Sequence, residues 1–212
     1  MQCDTFPEAR LLIFAKAPIV GQVKTRLIPA MGAVAACEFY RARLQATLDL
    51  CCQAAIAPVV VWTWPDADHP TIRSVTAAYP VAVRTQQGQE LGARMAHAVT
   101  ESVDEGASLM VLIGVDAPAL SAHDIAQAFD HLQQGADVVM SPAEDGGYVL
   151  LGLRTVQPAL FVDMPWSTDQ VATITRERCR QLGLRLVELP ERWDIDRPED
   201  VYRVYEGVTQ TV

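Results

Sequence analysis

The sequence predicts an α/β fold, one domain over residues 1–212, built on a mostly parallel but mixed sheet with helices on both faces. Three observations lead there. Short apolar runs alternate with amphipathic stretches along the chain, the pattern of strands and helices wound about a parallel sheet. The run "LMVLIGV" is apolar at every position but its glycine, as a strand covered on both sides must be. The later stretch "SPAEDGGYVLLGL" reads as strand, turn and strand, which makes the sheet mixed.

In chain order the first strand is expected over residues 11–15, on the apolar run Leu11-Leu12-Ile13-Phe14. A long helix follows over 33–54, then strands over 58–64 and 81–85 and a helix over 92–104. The central apolar strand covers 109–115, and Ser121, with Asp124 three residues on, caps a helix over 122–134. Strands over 136–141 and 148–153 flank the Asp145-Gly146 turn dipeptide. Ser167 with Gln170 is read as the cap of a helix over 168–182, and a last strand spans 185–189. Pro198, with no amide hydrogen to lose, suits the first position of a helix over 198–205.

A chain of 212 residues, 50% hydrophobic and 20% charged, is long enough for one sizeable core. Its net charge of -9 argues against nucleic-acid binding and against adhesion to an anionic membrane. Residues 1–10 carry Asp4, Pro7 and Glu8, unlike a leader, and no uninterrupted apolar run reaches the length of a membrane span. A cytoplasmic protein is expected. The five cysteines, an odd number without C-x-x-C, read as reduced thiols packed as small apolar groups. The four histidines show no ligand spacing with them, so a zinc site has little support. The sequence leaves the oligomeric state open.

Ligands of open α/β sheets sit beyond the carboxyl ends of the strands, and the polar residues there carry the chemistry. In "FAKAPIVGQVKTRL", Pro18 and Gly21 favour an extended loop, and Lys16, Lys24 and Arg26 put three cations on an otherwise acidic chain. Such a cluster suits phosphate, either as a binding site or as no more than a solvated basic loop. The P-loop pattern fails, because Gln22 and Val23 separate Gly21 from Lys24. Asp116 follows the most apolar strand, either as a cation ligand or as an Asx-turn before Pro118. In "WDIDRPED", Asp194 and Asp196 stand two apart on an extended segment, so both carboxylates can approach one cation, or Asp196 merely starts a helix. Asp145, Gly146, Gly147 and Tyr148 form either a plain hairpin turn or a close backbone approach to substrate. Gln86, Gln87 and Gly88, with Arg94 beyond, are placed to read a base or a sugar, or form a polar loop.

The ordered stretches "IFAKAPIVGQVKTRL", "GVDAPAL", "SPAEDGGYVLLGL", "WSTDQV" and "DIDRPEDV" resemble the DUF2064 family, a glycosyltransferase-like group within the nucleotide-diphospho-sugar transferase (GT-A) superfamily. The resemblance implies a Rossmann-like GT-A fold and a Mg²⁺- or Mn²⁺-dependent transferase. Such an enzyme would move a nucleotidyl or glycosyl group from an NTP or NDP-sugar to a small acceptor. It implies that Lys16, Gly21, Lys24, Thr25 and Arg26 face the nucleotide phosphates; Gln87 and Gly88, read above from their own stretch, are expected on the same donor side. Asp116 and Asp196 would hold the metal, and Asp116, Lys24 and Arg26 would act on the reacting phosphates. The substrate side would be Asp145, Gly146, Gly147 and Tyr148. Two departures from the family pattern stand out: Val115 replaces a small polar residue, and Arg197 replaces a threonine that would cap the last helix. They motivate the alternative of a nucleotide- or phosphate-binding module without catalysis.

Overall fold

Side chains along the central strands alternate between two cores, and that alternation fixes the sheet. The structure, a computed structural model, describes residues 4–209. Its elements are β1 (Ala9–Lys16), a 3₁₀ turn (Thr25–Leu27), α1 (Ile28–Met31), α2 (Ala33–Ala54), β2 (Val59–Trp64), α3 (Pro70–Thr76), β3 (Ala82–Thr85) and α4 (Leu91–Asp104). There follow β4 (Leu109–Ile113), α5 (Ala122–Gln133), β5 (Val138–Pro142), β6 (Tyr148–Leu153), a second 3₁₀ turn (Pro158–Leu160), α6 (Val171–Gln181), β7 (Leu186–Glu188) and α7 (Pro198–Thr209). Leu11, Ile13, Val59, Val61, Val111 and Ile113 face one core with Leu44 and Leu48 of α2, Ile72 of α3 and Phe129 of α5. Their neighbours Leu12, Val60, Trp62, Met110 and Leu112 face the other, with Met95 and Val99 of α4 and Cys179 of α6. Period-two alternation into two apolar layers is what a sheet covered on both faces requires.

The seven strands form one sheet in the order β3-β2-β1-β4-β6-β5-β7. All adjacent pairs are parallel except those of β6, which runs against both β4 and β5. This is the mixed α/β sheet that the sequence predicts. Each expected strand and helix is present, with ends shifted by a few residues.

Three local details differ. The short helix α3 was not expected: at seven residues it is too brief for periodicity, yet Pro70 opens it and the His69 ring accepts from the Thr71 amide. The four-residue α1 also escapes a periodicity reading. Ser167 does not cap α6. That helix starts at Val171, and Ser167 sits in the left-handed region at φ 65°. By contrast, Ser121 and Asp124 form a full capping box on α5. At α7 the missing threonine is replaced in function by Asp200, whose Oδ2 accepts from the Asp196 and Arg197 amides at 3.0 and 2.7 Å.

Cys37, Cys51 and Cys179 are buried in the cores, and burial pushes the Cys51 thiol up to about 12 and the Cys179 thiol up to about 11. Among the described residues no helix is long and apolar enough to cross a membrane.

Candidate active site

The strand order lays the sheet's functional edge out as a row: the ends of β3, β2, β1 and β4, then the start of β6 and the end of β5. At the β1 end the chain leaves Lys16, whose amide donates to the Tyr40 hydroxyl at 2.7 Å. The loop beyond is anchored by two apolar side chains, Val23 and Leu27, both buried. The residues between these anchors, Lys24, Thr25 and Arg26, are thereby turned toward the sheet edge. Lys24 adopts left-handed φ 48°, ψ 42°, a conformation costing a lysine on the order of 1 kcal/mol. Ser167, across the same pocket, is the second such residue there.

Asp116 follows β4 by way of Gly114 and Val115, whose side chain is buried in the core. Its carboxylate makes no Asx-turn hydrogen bond among the described residues. Instead Lys24 Nζ lies 3.0 Å from Oδ1, a buried oxygen that accepts no hydrogen bond, and the same ammonium donates to the Ile195 carbonyl. The segment holding the other acids is pinned from several sides. Arg192 forks onto buried Asp124 at 3.2 and 2.6 Å, Ser141 donates to the Pro190 carbonyl, and the Ile195 amide donates to the Asp116 carbonyl at 2.9 Å. Arg26 is ion-paired to Asp196. Asp194 is half-buried between these groups. Burial first, then the charges of Asp145 and Asp116, push its carboxyl up to about 6 against the pull of Lys24.

Lys24, Arg26, Asp116, Asp194 and Asp196 line one pocket of about 580 Å³, in the range of small-molecule sites. Of the residues singled out from the sequence, Lys16, Lys24, Thr25, Arg26, Asp116, Asp145, Gly147, Tyr148 and Asp196 meet there. Gly21, Gln87, Gly88 and Gly146 do not line it. Gly21 is an exposed turn at φ 80° with open space around it. Gly88 is pressed on the start of α4, where Arg94 donates to its carbonyl at 3.0 Å while stacking on Trp64. Gly146 serves packing: at φ 89°, a Cβ there would stand 2.5 Å from Asp169 Cα, and its carbonyl accepts from the Ala172 amide. We expect Gly146→Ala to lose about 3 kcal/mol or more in chemical denaturation, combining backbone strain with a clash against main chain. A loss below about 1 kcal/mol would contradict this packing.

Trp166, Ser167 and Thr168 also line the pocket, and the sequence reading did not place them in the site. Asp194, paired with Asp196 by spacing, lines it too, set apart by the burial that raises its carboxyl and by the Arg26 ion pair that Asp196 makes. Trp166 packs edge-on to Tyr148, ring centroids 6.4 Å apart, over Gly92, where a Cβ would lie 2.8 Å from its Nε1. Gln86 is buried and ties the ends of β1 and β2 through the Ala15 and Trp62 carbonyls. Four carboxylates in one pocket, with Asp116 Oδ1 held only by its ion pair with Lys24, fit a hard divalent cation. Among the described residues no three ligating side chains converge on one point. The chain's own share of such a site is therefore one or two carboxylates, the rest falling to phosphate and water.

A protein from Desulfovibrio desulfuricans G20, provisionally assigned as a nucleotide-diphospho-sugar transferase, superposes with TM-score 0.88 at 32% identity, over 97% of this chain and 89% of that one. The 4-diphosphocytidyl-2C-methyl-D-erythritol synthase of Anaerococcus prevotii DSM 20548 shares the fold, with TM-score 0.65 at 11% identity over 95% of this chain and 97% of its own. A phosphoenolpyruvate guanylyltransferase from Chloroflexus aggregans (strain MD-66 / DSM 9485) is 30% identical over 124 residues, 58% of each chain. The chain thus spans little more than half the length of that curated relative. These similarities fit the nucleotide-diphospho-sugar transferase architecture of the sheet. The model of DUF2064, described as an uncharacterised protein conserved in bacteria, matches residues 47–168, from the body of α2 through Thr168, and the chain belongs to that family.

Proposed function

We propose that the protein is a metal-dependent transferase with a nucleotide donor, and that it moves a nucleotidyl group from an NTP to a small acceptor. One observation carries this reading: Lys16 at the end of β1 and Lys24 and Arg26 of the loop beyond line a single pocket with the carboxylates of Asp116, Asp194 and Asp196. Lys16 has no side-chain partner among the described residues and is free to meet a terminal phosphate. Lys24 and Arg26 hold their carboxylates until a phosphate chain offers them stronger charge-assisted bonds. Asp116, with Asp194 or Asp196, would hold Mg²⁺ or Mn²⁺, which supplies neutralisation of the charge on the departing pyrophosphate. The loop cations orient the phosphate chain so that an acceptor oxygen meets the α-phosphorus in line. A bond from that oxygen to phosphorus forms as the bond to the pyrophosphate oxygen breaks. No protein nucleophile is required.

Glycosyl transfer from an NDP-sugar is the second reading, supported by the assignment of the Desulfovibrio relative. Calorimetry with NTPs and NDP-sugars, with and without Mg²⁺, combined with assays for released pyrophosphate or NDP, separates the readings. Pyrophosphate release supports nucleotidyl transfer and NDP release supports glycosyl transfer. Binding without turnover of any donor leaves an inert nucleotide-binding module, and no nucleotide binding at millimolar levels removes all three. A cytoplasmic location suits any of these donors.

Lys24→Ala is expected to weaken donor affinity about ten- to a hundredfold, the worth of a charge-assisted contact, while the thermal midpoint moves little. Calorimetry on the variant checks this, and unchanged affinity would take the loop out of the site.

A further inference from the structure

The pocket is divided by charge along the strand row. Its cations, Lys16, Lys24 and Arg26, all come from β1 and the loop beyond it. The opposite half, beyond β4, is built by the turn before β6 and the segment before α6: Asp145, Tyr148, Trp166, Ser167 and Thr168, with Met95 below. No cation lines that half. Three arginines outside the pocket are engaged elsewhere. Arg203 forks onto Glu144 and stacks on Trp193, Arg178 donates to the Ala159, Val162 and Asp163 carbonyls, and Arg94 is held by Gly88.

The polar groups left over in that half suit hydroxyls. Asp145 Oδ1 accepts from the Gly147 amide at 2.9 Å, which leaves Oδ2 open. Among the described residues the hydroxyls of Tyr148 and Ser167 make no hydrogen bond, so each can donate and accept. Desolvation raises the Tyr148 hydroxyl above its ordinary value, so it stays a neutral donor. The Tyr148 and Trp166 rings meet at an interplanar angle of 88°, giving two apolar walls at a corner. Gly92 fixes the Trp166 ring, since any side chain there would displace it.

We infer that this half is the acceptor subsite, and that it takes a neutral polyhydroxyl compound, a sugar or a polyol, and rejects phosphorylated carboxylic acids. A phosphorylated acid would bring its charges next to Asp145, Asp194 and Asp116 with no cation of its own to meet, and like-charge juxtaposition is an effective means of rejecting a partner. A polyol presents hydroxyls to Asp145 Oδ2, Tyr148 and Ser167 and its C–H faces to the rings. The inference rests on the nucleotide-donor reading above. In the transfer step the acceptor oxygen bonds to the α-phosphorus, pyrophosphate leaves, and the hydroxyl proton passes to Asp145 Oδ2. The acceptor specificity therefore departs from that named for the Chloroflexus relative.

The test is a turnover screen on the full chain with Mg²⁺ and each of the four NTPs, read as pyrophosphate release. One arm offers neutral monosaccharides and polyols, the other phosphoenolpyruvate and further phosphorylated carboxylic acids. We expect a member of the neutral arm to raise release at least tenfold over the acceptor-free rate, and the anionic arm to leave it at that rate. Trp166→Ala should then raise the acceptor KM about tenfold with little change in kcat, whereas Asp145→Asn should lower kcat as well. Nucleotide affinity by calorimetry should stay within twofold in both variants, which also reports that they are folded. Preference for an anionic acceptor overturns the inference, as does a silent neutral arm in a protein that binds nucleotide with metal. Failure to bind any nucleotide brings down the donor reading, and this inference with it.

Discussion

Asp116→Asn is expected to cut turnover by about 10²- to 10³-fold and to abolish the effect of Mg²⁺ on nucleotide binding. The substitution keeps the shape of the side chain and removes only its charge. Lys24 retains the Ile195 carbonyl, so the loop has no reason to unfold. The ammonium that Asp116 formerly neutralised becomes available to phosphate. Nucleotide affinity without metal should therefore hold steady or rise while metal-dependent affinity disappears. Calorimetry with and without Mg²⁺, set beside the thermal midpoint, reads both halves of this prediction. If metal dependence survives in Asp116→Asn, the cation is held elsewhere.

Asp194→Asn should make the protein more stable and less active. The folded carboxyl titrates at about 6, against an ordinary value of 3.8. The folded state therefore binds this proton more tightly than the unfolded chain does. Below about pH 4 the group is protonated in both states and costs nothing. As pH rises from 4 to 6 the folded state must give up a proton it favours, and stability falls. Above pH 6 the whole cost is present, about 1–3 kcal/mol at roughly 1.4 kcal/mol per pH unit. Asparagine carries no charge to desolvate, so the variant should gain about that much at pH 7.5 and nothing near pH 4. Denaturation at the two pH values checks the sign. Equal differences at both would show that the carboxylate is not held against its burial. Turnover should fall, because Asp194 lines the pocket beside Asp116 and asparagine offers a cation no charge there.

The layers of the fold were legible in the sequence because alternation of apolar side chains is itself the cause of the sheet. Leu11 to Phe14 and the run from Leu109 to Ile113 had only one way to bury both faces. The capping box at Ser121 was legible for the same reason, since its partners lie three residues apart. Ser167 misled because the same spacing is satisfied by a residue held in a left-handed turn, where its side chain cannot reach the helix. In the site, the loop cations and Asp116 were visible as charges at strand ends. What separates Asp194 from Asp196 was not, because it depends on burial and on Arg26, 170 residues distant in the chain from Asp196. Gly146 and Gly88 looked like places for a ligand to approach and are places where main chain approaches instead.

Because β6 runs against both its neighbours, the two halves of the pocket are held by different kinds of connection. The cationic half hangs on a long loop that leaves a parallel strand and must cross over to a helix. In the opposite half, Asp145 sits at the tip of a tight hairpin, closed by Ala143 and Gly147 and returning at once into the sheet, while Trp166, Ser167 and Thr168 come from the segment before α6. Asp145 at that tip can be exchanged without disturbing any crossover, whereas Gly146 beside it is pressed on the main chain of Asp169. On the proposed function, Asp145 is thus the place to redirect acceptor choice while the cationic loop stays as it is.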